Sequence, residues 1–149
     1  MSHYAKLENM YLGAPVNRLY LPTITIAEGT AEIGITVAPT FFHAAGAIHG
    51  SVYFKLLDDA CFFAVSSLVE DVFVLTTSFV TYITRPVSAG QLVAKGRVVH
   101  PGKSVLLADA IITSENGKEV ARGNGAFMRS RTPLTPEIGY RMRETEDPP

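Results

Sequence analysis

At 149 residues, 47% hydrophobic and 18% charged, the chain has the size and balance of one globular domain with a substantial core. Its net charge is -1 and no basic cluster occurs, which excludes the electrostatic footprint of a nucleic-acid binder. The N-terminal stretch is polar and the longest apolar run, Ala60 to Val65, is far too short to cross a bilayer, so a cytoplasmic protein without membrane attachment is expected. Cys61 is the single cysteine, which rules out an internal disulfide and agrees with a reducing compartment.

In chain order, Tyr4 to Leu12 reads as a short helix with Leu7, Met10 and Tyr11 on one face, stopped by Gly13-Ala14-Pro15. Ile24 to Ile26 and Ala31 to Val37 flank Glu28-Gly29 and form a hairpin. Pro39 ends the second strand, and a small-residue loop, Phe42 to Gly50, follows. From Ser51 to about Leu68 no Gly or Pro intervenes, which predicts a helix. Wound at about 100° per residue, Ser51, Lys55, Asp58, Asp59 and Ser66 gather on one narrow side, and the rest is apolar. Such a helix is a buried one.

Four β-type segments follow: Val72 to Thr84, Gln91 to His100, Ser104 to Ser114 and Glu119 to Arg129. Pro101-Gly102-Lys103 and Asn116-Gly117 are hairpin turns, so the sheet is antiparallel. The architecture is α+β: a sheet of about five or six strands around one central helix. One domain over 1–130 is expected, with 131–149 a loosely held tail.

No phosphate-binding glycine loop and no serine elbow is present. His43 and His49 share a loop, but no histidine pairs at i, i+4 with another ligand, and no metal or cofactor is expected. The carboxylates remain. Asp58 and Asp59 lie mid-helix among apolar residues, where desolvation raises a carboxyl pKa. The plain alternative is a solvated stripe with Lys55 paired to Asp59 at i, i+4. At the helix start, the Gly50 and Ser51 amides carry the positive end of the macrodipole and are candidate oxyanion donors. Gly50 to Asp58 spans eight residues, roughly 12 Å of helix. One carbonyl needs its donor about 3 Å away and its base close by. If both residues act, two antiparallel helices related by a two-fold axis must share the work.

These residues resemble the hot-dog-fold acyl-CoA thioesterases of the phenylacetate-degradation type. That group has an Asn, a small-residue loop with His-Gly-Gly, and a helix with Leu-x-Asp-x-Ala. The matching residues are Ala45-Gly46-Ala47-Ile48-His49-Gly50 and Leu56-Leu57-Asp58-Asp59-Ala60. Arg85-Pro86, Gly90 and Gly102-Lys103-Ser104 follow in the family's order, and the likeness covers roughly residues 10 to 130. It implies a curled sheet around the helix and active sites between subunits.

The resemblance further implies Asp58 as nucleophile or general base. Gly50 N–H would polarise the thioester carbonyl from the partner chain, His49 would support the loop, and a hydroxyl at Thr76 or Thr77, with Thr76 favoured, would help place the water. Two departures stand out: the family's Asn falls at His43, and the second Gly of His-Gly-Gly is Ser51. His43 is expected to modify the chemistry of Asp58, and Asp59 to hold the structure, with an exchange of roles between the two carboxylates open.

The expected function is hydrolysis of an aryl- or medium-chain acyl-CoA, with coenzyme A present only as part of the substrate. Arg85 and Lys103 are candidates for its phosphates, beside Lys95 and Arg97. The expected assembly is a homo-oligomer, a dimer at minimum, with a tetramer open. Two alternatives stand: an enoyl-CoA hydratase or dehydratase using His43 or His49 with Asp58, and a non-catalytic acyl-CoA-binding protein.

Overall fold

The structure, a computed structural model, describes residues 2–144. It contains helices α1 (Ser2–Gly13), α2 (Asn17–Tyr20) and α3 (Gly50–Ser66), and strands β1 (Thr23–Ala27), β2 (Thr30–Thr36), β3 (Val72–Ile83), β4 (Gln91–Pro101), β5 (Leu106–Ser114) and β6 (Glu119–Pro133). The six strands form one antiparallel sheet in the order β1-β2-β4-β5-β6-β3. This is the α+β, curled-sheet architecture expected, with α3 against one face.

The core lies between α3 and the inward-facing residues of the strands. Leu56, Leu57, Ala60 and Cys61 on the helix meet a layer that includes Ile33, Leu92, Ala108 and Ile112, all fully buried. A leucine buried in this way contributes about 1.5–3 kcal/mol. The helix packs very close to the sheet at Gly96. A Cβ there would run into the carbonyl group of Ala60, so only glycine fits without a backbone shift. The helix begins where His49, extended in backbone, accepts a hydrogen bond from the Ser51 amide through its Nδ1.

The strand order departs from a run of sequential hairpins. β4, β5 and β6 are joined as expected, but the chain leaves α3 for the far edge, where β3 pairs with β6. The other edge, β1, is covered by α1: Glu8 accepts a hydrogen bond from the Ile26 amide at 2.9 Å. Among the described residues no strand lies outside β3, and its Leu75, Val80, Tyr82 and Ile83 are exposed.

The expected loose tail from 131 meets a different arrangement as far as residue 144. β6 continues to Pro133, because Val72 at the start of β3 pairs with it. Beyond the strand, Leu134 and Tyr140 pack on the core, and the Tyr140 hydroxyl meets Nδ1 of the buried His3 at 2.7 Å. Residues 145–149 of that segment lie outside the described residues. No helix of the described residues is long and apolar enough to cross a membrane.

Candidate active site

The loop before α3 is held by backbone hydrogen bonds, to which the His43 and His49 side chains add their own. His43 N–H donates to Ala47 O, Ile48 N–H to Val87 O and His49 N–H to Phe41 O, at 2.9, 2.9 and 2.8 Å. Gly46 takes φ +81°, which allows the turn between them. His49 then uses Nδ1 twice: it accepts from the Ser51 amide and lies 2.8 Å from the Ser51 hydroxyl. Serine in place of a second glycine therefore adds a side-chain contact to the cap. No hydrogen bond within the described residues takes up the Gly50 amide. Beside Gly50 lies the Ile83 side chain, 3.4 Å from where a Cβ would stand. The amide thus opens at the positive end of the helix next to an apolar neighbour.

His43 is exposed, and its Nδ1 accepts from the Ala45 amide at 3.1 Å. Among the described residues, His, Cys, Asp and Glu nowhere gather in a group of three or more able to hold a metal ion.

The two adjacent carboxylates go to different partners. Asp58 accepts a 2.8 Å hydrogen bond from the Thr76 hydroxyl on β3. Its pKa is pushed up from 3.8 to about 6, chiefly by burial; the Thr76 bond opposes the rise, the Asp59 charge adds to it and Lys55 opposes it. Asp59 turns the other way. It pairs with Lys55 one turn back and accepts a 2.8 Å hydrogen bond from the Tyr11 hydroxyl on α1. The ammonium of Lys55 in turn lies over the rings of Tyr11 and Tyr20, 5.1 and 4.8 Å from their centroids. Burial and the neighbouring Asp59 raise the Tyr11 pKa, so its hydroxyl stays a donor. The narrow polar side read from the sequence is therefore divided between β3 and α1, and Ser66 at its end is buried, donating to Phe62 O.

Thr76 meets Asp58, whereas Thr77 is exposed and donates to Ala126 O at 3.0 Å; an irregularity in the β3–β6 register separates Thr76 from Ser78. Arg85 and Lys103 are both exposed and far apart in the fold. Arg85 follows β3 near the start of α3, where its carbonyl accepts from the Tyr53 hydroxyl at 2.8 Å. Lys103 sits in the β4–β5 turn, at the sheet end where Leu106, Phe127 and Thr76 stand in one row. Tyr11 and Tyr20 were not legible as site neighbours. Tyr11 shows only as one member of an apolar helical face, and nothing local links it to Asp59.

The model of the family described as the thioesterase superfamily matches residues 45–121, a span holding the second half of the loop, α3, β3, β4 and β5. The chain belongs to the thioesterase superfamily. Its fold is the hot-dog fold of that superfamily's solved structures. The PaaI protein of the E. coli phenylacetic acid degradation operon superposes with a TM-score of 0.80 at 24% identity, covering 91% of this chain and all of that one. A thioesterase family protein from Silicibacter pomeroyi gives 0.77 at 25% identity, covering 85% and 96%. The conserved protein PA5202 from Pseudomonas aeruginosa gives 0.74 at 26% identity, covering 80% and 96%. No curated protein matches the sequence. Within this superfamily fold, Asp58 is the carboxylate that faces the edge strand, and Asp59 is the one tied back into the core.

Proposed function

We propose that the protein hydrolyses an aryl- or medium-chain acyl-CoA thioester, with Asp58 as general base or nucleophile. The observation that carries this reading is the pairing of a half-buried carboxylate, held by Thr76, with an open Gly50 amide on the same helix. A carboxyl with a pKa of about 6 is ionised at neutral pH and is basic enough to take a proton from water in the transition state.

In the water route, Asp58 accepts one proton from water as the water oxygen bonds to the thioester carbon. The carbonyl oxygen gains the negative charge and rests on an amide N–H at the positive end of a helix. The intermediate then collapses: the C–S bond breaks and coenzyme A leaves as the thiolate, protonated afterwards. In the nucleophilic route Asp58 itself bonds to the carbon, and water later opens the resulting anhydride. No further cofactor is needed, because coenzyme A arrives with the substrate.

The donor and the base are roughly 12 Å apart along one helix, so a single chain does not bring both to one carbonyl. A C2 dimer does: Gly50 of the partner subunit supplies the amide and Asp58 the base, with two equivalent sites. The β3 edge, beyond which no other strand of the described residues lies and which exposes apolar side chains, is the surface that supports this assembly. In such a dimer the Arg85 end of one subunit meets the Lys103 end of the other, which brings together two cations suited to the coenzyme A phosphates. His49 and Ser51 hold the donor loop, and His43 stands at its exposed rim, where it modifies the approach of the substrate.

The test is free-thiol release from a panel of aryl- and acyl-CoA esters, with wild type and Asp58→Asn run together. Release that collapses in the variant supports the reading. Failure of the wild type on every ester overturns it, and an absorbance change on enoyl esters without thiol release would move the assignment to a hydratase.

A further inference from the structure

Along α3, Gly50, Phe54, Asp58 and Phe62 stand at intervals of four and share one face of the helix. β3 crosses that face and meets it in reverse order. Ile83 lies beside Gly50, Phe79 packs edge-on against Phe54, Thr76 bonds Asp58, and Phe73 packs on Phe62. The Phe54 and Phe79 rings are 5.5 Å apart at 83°, and Phe54 is still 42% exposed. A large aromatic side chain is therefore oriented by a neighbour and yet left partly uncovered, midway between the open amide and the carboxylate.

We propose that Phe54 stands at the two-fold axis of the dimer and, with its copy, forms the wall that closes both acyl pockets and limits acyl length. This rests on the thioesterase dimer described above and follows from its geometry. If two copies of α3 run antiparallel with Gly50 level with the partner's Asp58, the midpoint of that interval falls on the axis, and the midpoint is Phe54. The edge strand agrees, since Phe79 lies between the positions that meet Gly50 and Asp58.

Each reacting carbonyl then lies about 6 Å along the helix from Phe54, on opposite sides of the axis. The carbonyl carries two substituents. Coenzyme A is large and charged and must leave toward solvent, so the acyl group points toward the axis and ends against the two Phe54 rings. A flat ring or a short stretch of chain fits straight before that wall, a medium-length chain fits only when bent, and a longer chain does not fit. Removing the wall would join the two pockets into one channel across the axis, so that one long chain would occupy the space of both sites.

Two measurements test this, neither of which needs catalysis. The first is oxidative cross-linking of Phe54→Cys, read on a non-reducing gel. A residue on the axis meets its own copy, and a disulfide joins the subunits. Ser51→Cys is the control: it lies about 4.5 Å off the axis along the helix, so its two copies are offset by about 9 Å, beyond the roughly 7 Å Cα separation that a disulfide tolerates. The buried Cys61 supplies the wild-type background.

The second is the affinity of S-alkyl-CoA thioethers of increasing chain length for wild type, Phe54→Ala, Phe54→Leu and Phe54→Trp. The expected result is a cut-off in wild type, at least a tenfold relative gain for chains beyond it in Phe54→Ala, a smaller gain in Phe54→Leu and a shorter cut-off in Phe54→Trp. Longest ligands are expected to bind Phe54→Ala at one per dimer. No Phe54→Cys cross-link, or a monomeric protein, overturns the axial placement. A cross-link with unchanged chain-length profiles in all three variants overturns the wall. Absence of thiol release with both results as expected would instead remove the hydrolytic reading and leave the partition standing.

Discussion

The Thr76 hydroxyl on β3 donates a 2.8 Å hydrogen bond to Asp58 on α3, and it is the contact that separates Asp58 from its neighbour Asp59. The bond favours the charged form of a carboxyl that burial drives toward the neutral one. Thr76→Val is therefore expected to raise the Asp58 pKa above about 6 and to move the acid limb of kcat/KM to higher pH. The pH profile of thiol release checks this; an unmoved limb would detach Thr76 from the base.

Asp58→Asn removes the proposed proton acceptor and is expected to lower kcat by about 10²–10⁴-fold. The same change is expected to stabilise the fold at neutral pH. With the folded pKa raised, the proton binds more tightly in the folded than in the unfolded chain. The stability linked to that proton is full below about pH 4 and is lost as pH rises through about 6. Asparagine has no charge to bury, so its Tm should exceed that of wild type at pH 8 and converge with it near pH 4. Thermal melts at the two pH values read the difference directly, and a variant less stable at pH 8 would refute it.

Asp59 should behave in the opposite way. Its pair with Lys55 is nearly buried, with side-chain exposures of 13% for Lys55 and 19% for Asp59, and Tyr11 ties the pair to α1. Breaking one partner of such a pair costs about 3–5 kcal/mol. Asp59→Asn is thus expected to lower the denaturant midpoint strongly while the folded fraction keeps thiol release within about tenfold of wild type. It also removes a like charge from beside Asp58, so the acid limb should move to lower pH. Loss of activity in a fully folded Asp59→Asn would exchange the roles of the two residues.

Gly96→Ala probes the spacing between helix and sheet. The added methyl would press on the backbone at Ala60 and Cys61, just beyond the two carboxylates. Overpacking of this kind costs about 1–3 kcal/mol, and the helix has to move to relieve it. Urea denaturation should show the loss of stability, and thiol release by the folded variant should fall with it through displacement of Asp58. A variant as stable as wild type would mean that α3 is not held at this distance.

Local sequence patterns specify the elements and the chemistry that lies close along the chain. The uninterrupted, nearly all-apolar stretch from Ser51 makes a buried helix wherever it is placed, and period-two alternation with turn residues between segments makes strands. The loop glycine, the helix start and the mid-helix carboxylate are likewise set by local spacing, which is why the family resemblance was legible there. Which carboxylate faces β3 is set by long-range packing. Adjacent positions on a helix differ by about 100°, so Asp58 and Asp59 are equivalent until a strand and a second helix arrive on either side. The placement of β3 at the far edge, beside β6, has no local signal either, because pairing over that separation depends on what the other strands leave unpaired. The same long-range pairing extends β6 to Pro133 through Val72, and brings Tyr11 to Asp59 across 48 residues of chain. Local periodicity specifies what each segment becomes, and contacts distant in sequence specify which side chains meet.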